Sequence, residues 1–300
     1  MIPNLNFYDI YGYLIPGLTL AIVLRLPYGL ITGSWPESSW TSALIAVVIG
    51  YVLGHLVQIL ARNALPSTTM DDRYPSEALL DQDDKTFSVA LKDRLRTRIR
   101  ELSGVDVRTD LTKSGVTDDV KAQRADGFRY CRDALLSSKN LSYAEQMQGM
   151  YTLLNGLTIA FALGAPFALG WTVSTGRFQV SALFIVALGL LPTAATAVIG
   201  LGKTDATPTD RARLMLVFLM IAVFGAGYLM GAGKVSTPAH RVSLGAMTLV
   251  YTFAACSCYS AYKYFTIMYA QTVYRAFNLY EKPEKKSQAA QSGVWPHGCW

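Results

Sequence analysis

Gly200-Leu201-Gly202-Lys203-Thr204 has the residue types that close a phosphate-binding loop. Glycines let backbone N–H groups approach, a lysine meets the phosphates and a hydroxyl meets the metal. The full motif wants a glycine six residues before the lysine, and Ala197 stands there. An apolar run precedes it instead of a strand, so nucleotide binding is not expected. Asp71, Asp72, Asp81, Asp83 and Asp84 form an acidic cluster. A calcium loop needs further oxygen ligands and a glycine at its sixth position; Leu, Thr and Lys fill the region, so helix capping and solvation are the expected roles. No HExxH, GxSxG, catalytic carboxylate pair or histidine cluster is present among three histidines, and the chain is expected to be neither an enzyme nor a cofactor or metal protein.

Two further groups are candidates for binding. Lys92, Arg94, Arg96, Arg98 and Arg100 crowd one helix, and Lys92, Arg96 and Arg100 share a face at four-residue spacing. Such a stripe is either a solvated surface or a contact for anionic lipid or an acidic partner. The 62–148 segment holds 15 Lys/Arg against 15 Asp/Glu, and this balance argues against direct nucleic-acid binding. Arg25, His55 and Gln58 are the polar residues set deepest in apolar sequence. Charge there is costly and faces a bundle interior or a wet path. Pro27 suggests that the first helix ends close by, which would let Arg25 snorkel to an interface. Lys263 marks a boundary.

The elements that carry these residues are apolar. The 300-residue chain is 51% apolar and 16% charged, with mean hydropathy +0.26. A helix of roughly 20 apolar residues crosses about 30 Å of hydrocarbon. Six stretches qualify, 10–31, 41–61, 149–171, 180–201, 213–232 and 242–262, split two plus four by a charged insertion. The expected fold is an all-α polytopic membrane protein with six transmembrane helices and a small, mainly helical cytosolic insertion. Its parts would be a two-helix hairpin (1–62), the cytosolic domain (63–141), four spans with extensions of spans three and six (142–277), and a disordered tail (278–300). Met1 to Asp9 lacks the basic region of a cleavable signal.

Lys and Arg gather at the ends of the insertion, in the 202–212 loop and in the tail, whereas the 32–40 loop has none. By the positive-inside rule both termini are cytosolic in a bacterial inner membrane. Trp35, Trp40 and Trp171 fit the opposite interface. Within the insertion, Asp84 to Ser103 reads as a helix with Leu91, Leu95, Ile99 and Leu102 on one stripe, ended by Gly104. Val105 to Leu111 reads as strand or loop, and Thr117 to Ser138 as a second helix, with Val120, Phe128, Cys131, Leu135 and Leu136 available for a core. Ser142-Tyr143-Ala144-Glu145 is a capping box. With Gln146 it heads a coupling helix that runs into span three. No breaker stands between Val242 and Leu279, so span six reads as about 38 residues, roughly 57 Å. Gly50-x-x-x-Gly54 and Gly227-x-x-x-Gly231 allow close helix packing. The four cysteines are spaced for neither disulfides nor metal.

The opening Asn6-Phe7-Tyr8-Asp9-Ile10-Tyr11-Gly12-Tyr13-Leu14-Ile15-Pro16-Gly17 resembles the start of a group of bacterial multi-span inner-membrane proteins. Tyr74-Pro75-Ser76-Glu77 and the run Ser142 to Tyr151 also have the look of that group's motifs. Some of its members are similar to anti-phage defence effectors that act beside a cytosolic sensor. The resemblance implies a non-enzymatic, oligomeric membrane effector or pore, with lipid, further copies of itself and a cytosolic protein sensor as partners. Two alternatives stand beside it: a secondary transporter with a path near His55 and Arg25, and a membrane-anchored scaffold.

Overall fold

The computed structural model describes residues 9–65, 70, 73–137, 142–174, 208–231 and 237–280, without the side chains of 142 and 208–212. Among them the chain is all-helical, with no extended strand. Five helices are long and apolar enough to cross a membrane: α1 (Ile10–Thr32), α2 (Trp40–Ala64), α6, α7 and α8. The last three are Ser142–Val173, Pro208–Gly231 and Pro238–Leu279. Between α2 and α6 lie the short α3 (Pro75–Ala78), then α4 (Val89–Ser103) and α5 (Asp118–Ser137). The expected span 180–201 and the 278–300 tail beyond Tyr280 lie outside the described residues, as do Gly200 to Thr204.

The chain divides into two compact units. The first comprises Met1–Asp72 and Gln146–Ile267; the second comprises Arg73–Glu145 and Met268–Trp300.

In the first unit, α6 carries the core. Half of its apolar window is buried, against 11% for α8. Ile159, Ala160 and Leu163 pack with Leu20 of α1 and with Val57 and Ala61 of α2, while Leu216, Leu219, Met220 and Val223 of α7 close the cluster. Further along α6, Phe167 and Trp171 meet Leu244 of α8.

Glycines set how near the helices come. A Cβ on Gly17 would fall on the Gly50 carbonyl, and one on Gly54 would fall on the Tyr13 carbonyl. The α1–α2 hairpin is therefore a backbone-to-backbone contact. Gly227 does the same against the Phe167 carbonyl, and Gly170 against that of Phe224, while a Cβ on Gly231 would meet the Ser174 hydroxyl.

Two helix irregularities free carbonyls, and side chains occupy both sites. The first turn of α1, Ile10–Leu14, is π-helical. The buried Gln58 amide donates to the Gly12 carbonyl at 2.6 Å and to the Thr152 carbonyl at 2.9 Å. Helix α1 runs through Pro27 to Thr32, in line with the expected 10–31 span, and closes on Gly33 at φ 66°. Proline lacks the N–H that would bond the carbonyl four residues back. That carbonyl belongs to Val23, and the Tyr251 hydroxyl donates to it at 3.3 Å.

The second unit folds around the last turns of α8. Val273, Tyr274 and Phe277 are fully buried. Tyr274 meets Phe87 and Phe128 edge-on at 6.1 and 5.4 Å, and Phe277 meets Tyr130 at 6.1 Å. The Tyr274 hydroxyl donates to the Ser76 carbonyl at 2.6 Å, and Arg98 donates to that of Asn278 at 2.9 Å. Helix α4 starts on the Ser88 cap and stops at Gly104, φ 76°. The 105–111 stretch is a loop leading to a 3₁₀ turn at Lys113–Gly115, and Leu136 is exposed.

Glycine positions separate packing from propensity. Gly54→Ala is expected to cost at least the ~1–3 kcal/mol of an overpacked core, because backbone cannot swing aside. Gly225→Ala and Gly245→Ala, whose added methyl meets open space, are expected to be silent or slightly stabilising. Thermal midpoints of the three variants in one detergent check this ordering.

Candidate functional site

The second unit buries charge. Arg73, Glu77, Asp81, Lys92 and Arg124 are all withdrawn from water, Arg124 completely and Lys92 to 2% exposure. Burying an ion costs several kcal/mol unless it is met by a partner. Asp81 meets two cations. Arg73 grips it with both arms, Nη1 to Oδ1 at 3.0 Å and Nη2 to Oδ2 at 2.5 Å; Arg124 Nη1 reaches Oδ1 at 2.5 Å. The other donors of Arg124 go to backbone: Nη1 to the Glu77 carbonyl at 3.0 Å, Nε to that of Arg108 at 3.0 Å, and Nη2 to that of Leu80 at 3.5 Å. The Lys92 ammonium donates to the carbonyls of Asp81 and Asp84. One carboxylate thus ties the 73–84 segment to α5, while the backbone beside it ties the segment to α4.

Burial pushes the Glu77 carboxyl above its ordinary value, against the pull of Lys121, Arg73 and Arg124. Burial also lowers Lys92, opposed by Asp84 and Asp81. Both Asp81 oxygens are occupied by guanidinium donors, so the arrangement holds the chain in place. On the surface, Arg96 pairs with Asp106 at 3.1 Å and lies 3.6 Å from Asp110. The hydrogen bond from Arg108 draws Asp110 down to about 2. Exposed pairs of this kind contribute ~0–1 kcal/mol.

The residues singled out in the sequence fall in different surroundings. Lys92 turns inward to the hub, Arg96 engages two aspartates, and Arg100 is exposed; the three do not present one free stripe. His55 stacks on Tyr13 at 4.1 Å and meets Tyr51 edge-on at 4.7 Å. Arg25 donates to the Ser34 carbonyl at 2.8 Å and lies over the Tyr28 ring at 4.4 Å. Those two sites share no residue. Gln58 is the tie to Gly12 and Thr152 described above. Tyr143, Glu145 and Gln146 are exposed near the start of α6; the Ser142 side chain lies outside the described residues. Gly50, Gly54, Gly227 and Gly231 sit at the helix contacts.

The hub left a trace in the sequence. Val120, Arg124, Gly127, Cys131 and Leu135 are the buried face of α5, and Lys92 precedes Leu95 and Ile99 on that of α4. A cation standing on an apolar stripe at helical spacing was the available signal. The acidic run around Asp81 looked like a solvated cluster because its partners lie far off in sequence.

Helix α8 carries a second feature. Thr252, Cys256, Ser260 and Lys263 are exposed at spacings of four, four and three; the same helix also exposes Val242, Leu249, Val250 and Phe253 and the polar Ser243 and Ser257. The Thr252 and Ser260 hydroxyls donate back to the Thr248 and Cys256 carbonyls at 2.9 and 3.0 Å. No family model, curated protein or solved structure matches the chain.

Asp81→Ala is expected to cost about 3–5 kcal/mol, because it leaves buried cations unanswered; proteolysis within 73–137 should then outpace cleavage in the wild type. Glu77 carries the opposite sign. A carboxyl raised in the fold contributes stability that is complete below its ordinary pKa and lost as pH rises through the folded value. Glu77→Gln should match the wild-type unfolding midpoint near pH 4 and exceed it near pH 8. A midpoint below wild type at pH 8 would refute that assignment.

Proposed function

We propose that the chain is a non-enzymatic protein of a bacterial inner membrane. In this reading it assembles into an oligomeric effector or pore, and its charged helical unit receives a signal or a protein partner, in the manner of anti-phage membrane effectors. The carrying observation is the α8 stripe of Thr252, Cys256, Ser260 and Lys263. The Thr252 and Ser260 hydroxyls are met by their own helix, so the Lys263 amine is the group that lipid would not take, and such a charge faces a bundle interior or water. Copies that turn this face to a common axis would line it with Thr252, Cys256, Ser260 and Lys263, with Val242, Leu249 and Phe253 at the same helical register toward the start of the helix. The division into an apolar unit and a charge-rich one supports the second half of the reading. Six spans, with both termini and the insertion cytosolic, complete it.

Oxidative cross-linking tests the assembly. In membranes carrying a variant with Cys256 as the only cysteine, copper phenanthroline should give a dimer band, and a charged thiol reagent should cut the conductance of proteoliposomes at least tenfold. No cross-link, together with conductance blind to modification, would rule out an axis lined by this face.

A further inference from the structure

A cavity of about 180 Å³ opens at the end of α2, lined by Gln58, Ala61, Arg62, Leu65, Tyr151, Thr152, Asn155 and Tyr262. All of these residues belong to the first unit. A water occupies ~30 Å³ in the liquid, so the space holds a phosphate with several further heavy atoms. Two of its polar side chains are already committed: the Gln58 amide to two carbonyls and the Thr152 hydroxyl to the Gln148 carbonyl at 2.8 Å. Two are not. The Asn155 Oδ1 is buried with no hydrogen-bond partner, a state that costs ~1–3 kcal/mol if nothing fills it. Arg62, in the last turn of α2, is exposed and makes no ion pair among the described residues.

We propose that this pocket takes the headgroup of an anionic glycerophospholipid, of the phosphatidylglycerol type. Arg62 is the sole formal charge in the lining, so the pocket selects an anion. It stands where an apolar helix ends, the level at which a bilayer presents its phosphates. The Asn155 amide needs a donor, and a headgroup glycerol hydroxyl is one; turned over, the same amide donates to a phosphate oxygen. Tyr151 and Tyr262, edge-to-face at 6.4 Å, form an amphipathic wall of the kind that favours membrane interfaces. The phosphoglycerol group can also come from water as sn-glycerol 3-phosphate, and Ala61 and Leu65 in the lining favour the lipid. The inference rests on the chain being embedded in a bilayer and not on pore formation.

The test reconstitutes the full chain in phosphatidylcholine nanodiscs with and without one-fifth phosphatidylglycerol, incorporation being scored first by gel filtration. Native mass spectrometry then counts retained phosphatidylglycerol. Arg62→Gln and Asn155→Leu should each lower retention about tenfold, and Arg62→Lys should restore most of it, which a folding defect would not do. Added sn-glycerol 3-phosphate should displace the lipid only at high concentration. Tight binding of sn-glycerol 3-phosphate in phosphatidylcholine discs, with no retained phosphatidylglycerol, would overturn the lipid and assign the pocket to the soluble compound. Equal retention by wild type and all variants would overturn the site. Failure to enter discs at all would overturn the membrane reading itself, and conductance plays no part in the readout.

Discussion

Apolar helices in hydrocarbon have no hydrophobic reason to meet, since lipid tails are as apolar as their side chains. They associate where backbones can touch. In this chain that condition is met at Gly17 with Gly50, and at Tyr13 with Gly54, where a single methyl would overlap main chain. The same device recurs between Gly170, Gly227 and their opposing carbonyls. Once backbones lie this close, irregular turns become a cost that neighbours must meet. Gln58 caps a carbonyl of the π-turn and Tyr251 caps the one freed by Pro27. The glycine contacts and these two side chains fix α1, α2, α6 and α8 together.

The second unit solves a different problem. It is small, and its helices α4 and α5 carry as many charged residues as apolar ones. Its core is completed by Tyr269, Ala270, Val273, Tyr274 and Phe277 at the end of α8. Around that aromatic centre Asp81 pairs with both Arg73 and Arg124, and backbone carbonyls accept from Arg124 and Lys92. A hydrophobic core of this size gives limited stability; the charge hub adds directional ties that hold the 73–84 segment in one conformation.

Much of this was legible in the residues. The five described apolar helices, the Gly104 stop and the bounds of α5 follow from hydropathy, period and caps, whereas α4 starts at Val89 on its Ser88 cap and not at the expected Asp84. The unbroken α8 follows from the absence of a breaker between Val242 and Leu279. The 10–31 span fits α1, but how the helix passes Pro27 was not legible, because the partner of the Val23 carbonyl is 228 residues away. The hub was hidden for a related reason. Arg124 and Lys92 read as surface cations by type, and only their place on buried faces, together with Asp81 at a separation of 43 residues from Arg124, reveals their role. The end of α8 read as an overshooting span, although Tyr269, Val273, Tyr274 and Phe277 repeat at helical spacing and mark a second buried face.

The proposed function requires a bilayer around the long apolar helices, with residue 110 on its cytosolic side and residue 38 on the other. Asp110→Cys and Ser38→Cys, each placed in a cysteine-free chain, report this directly through an impermeant maleimide applied to right-side-out and inverted inner-membrane vesicles. The account predicts that Cys at 110 labels only in inverted vesicles and Cys at 38 only in right-side-out ones. Labelling of both positions from the same side would contradict it.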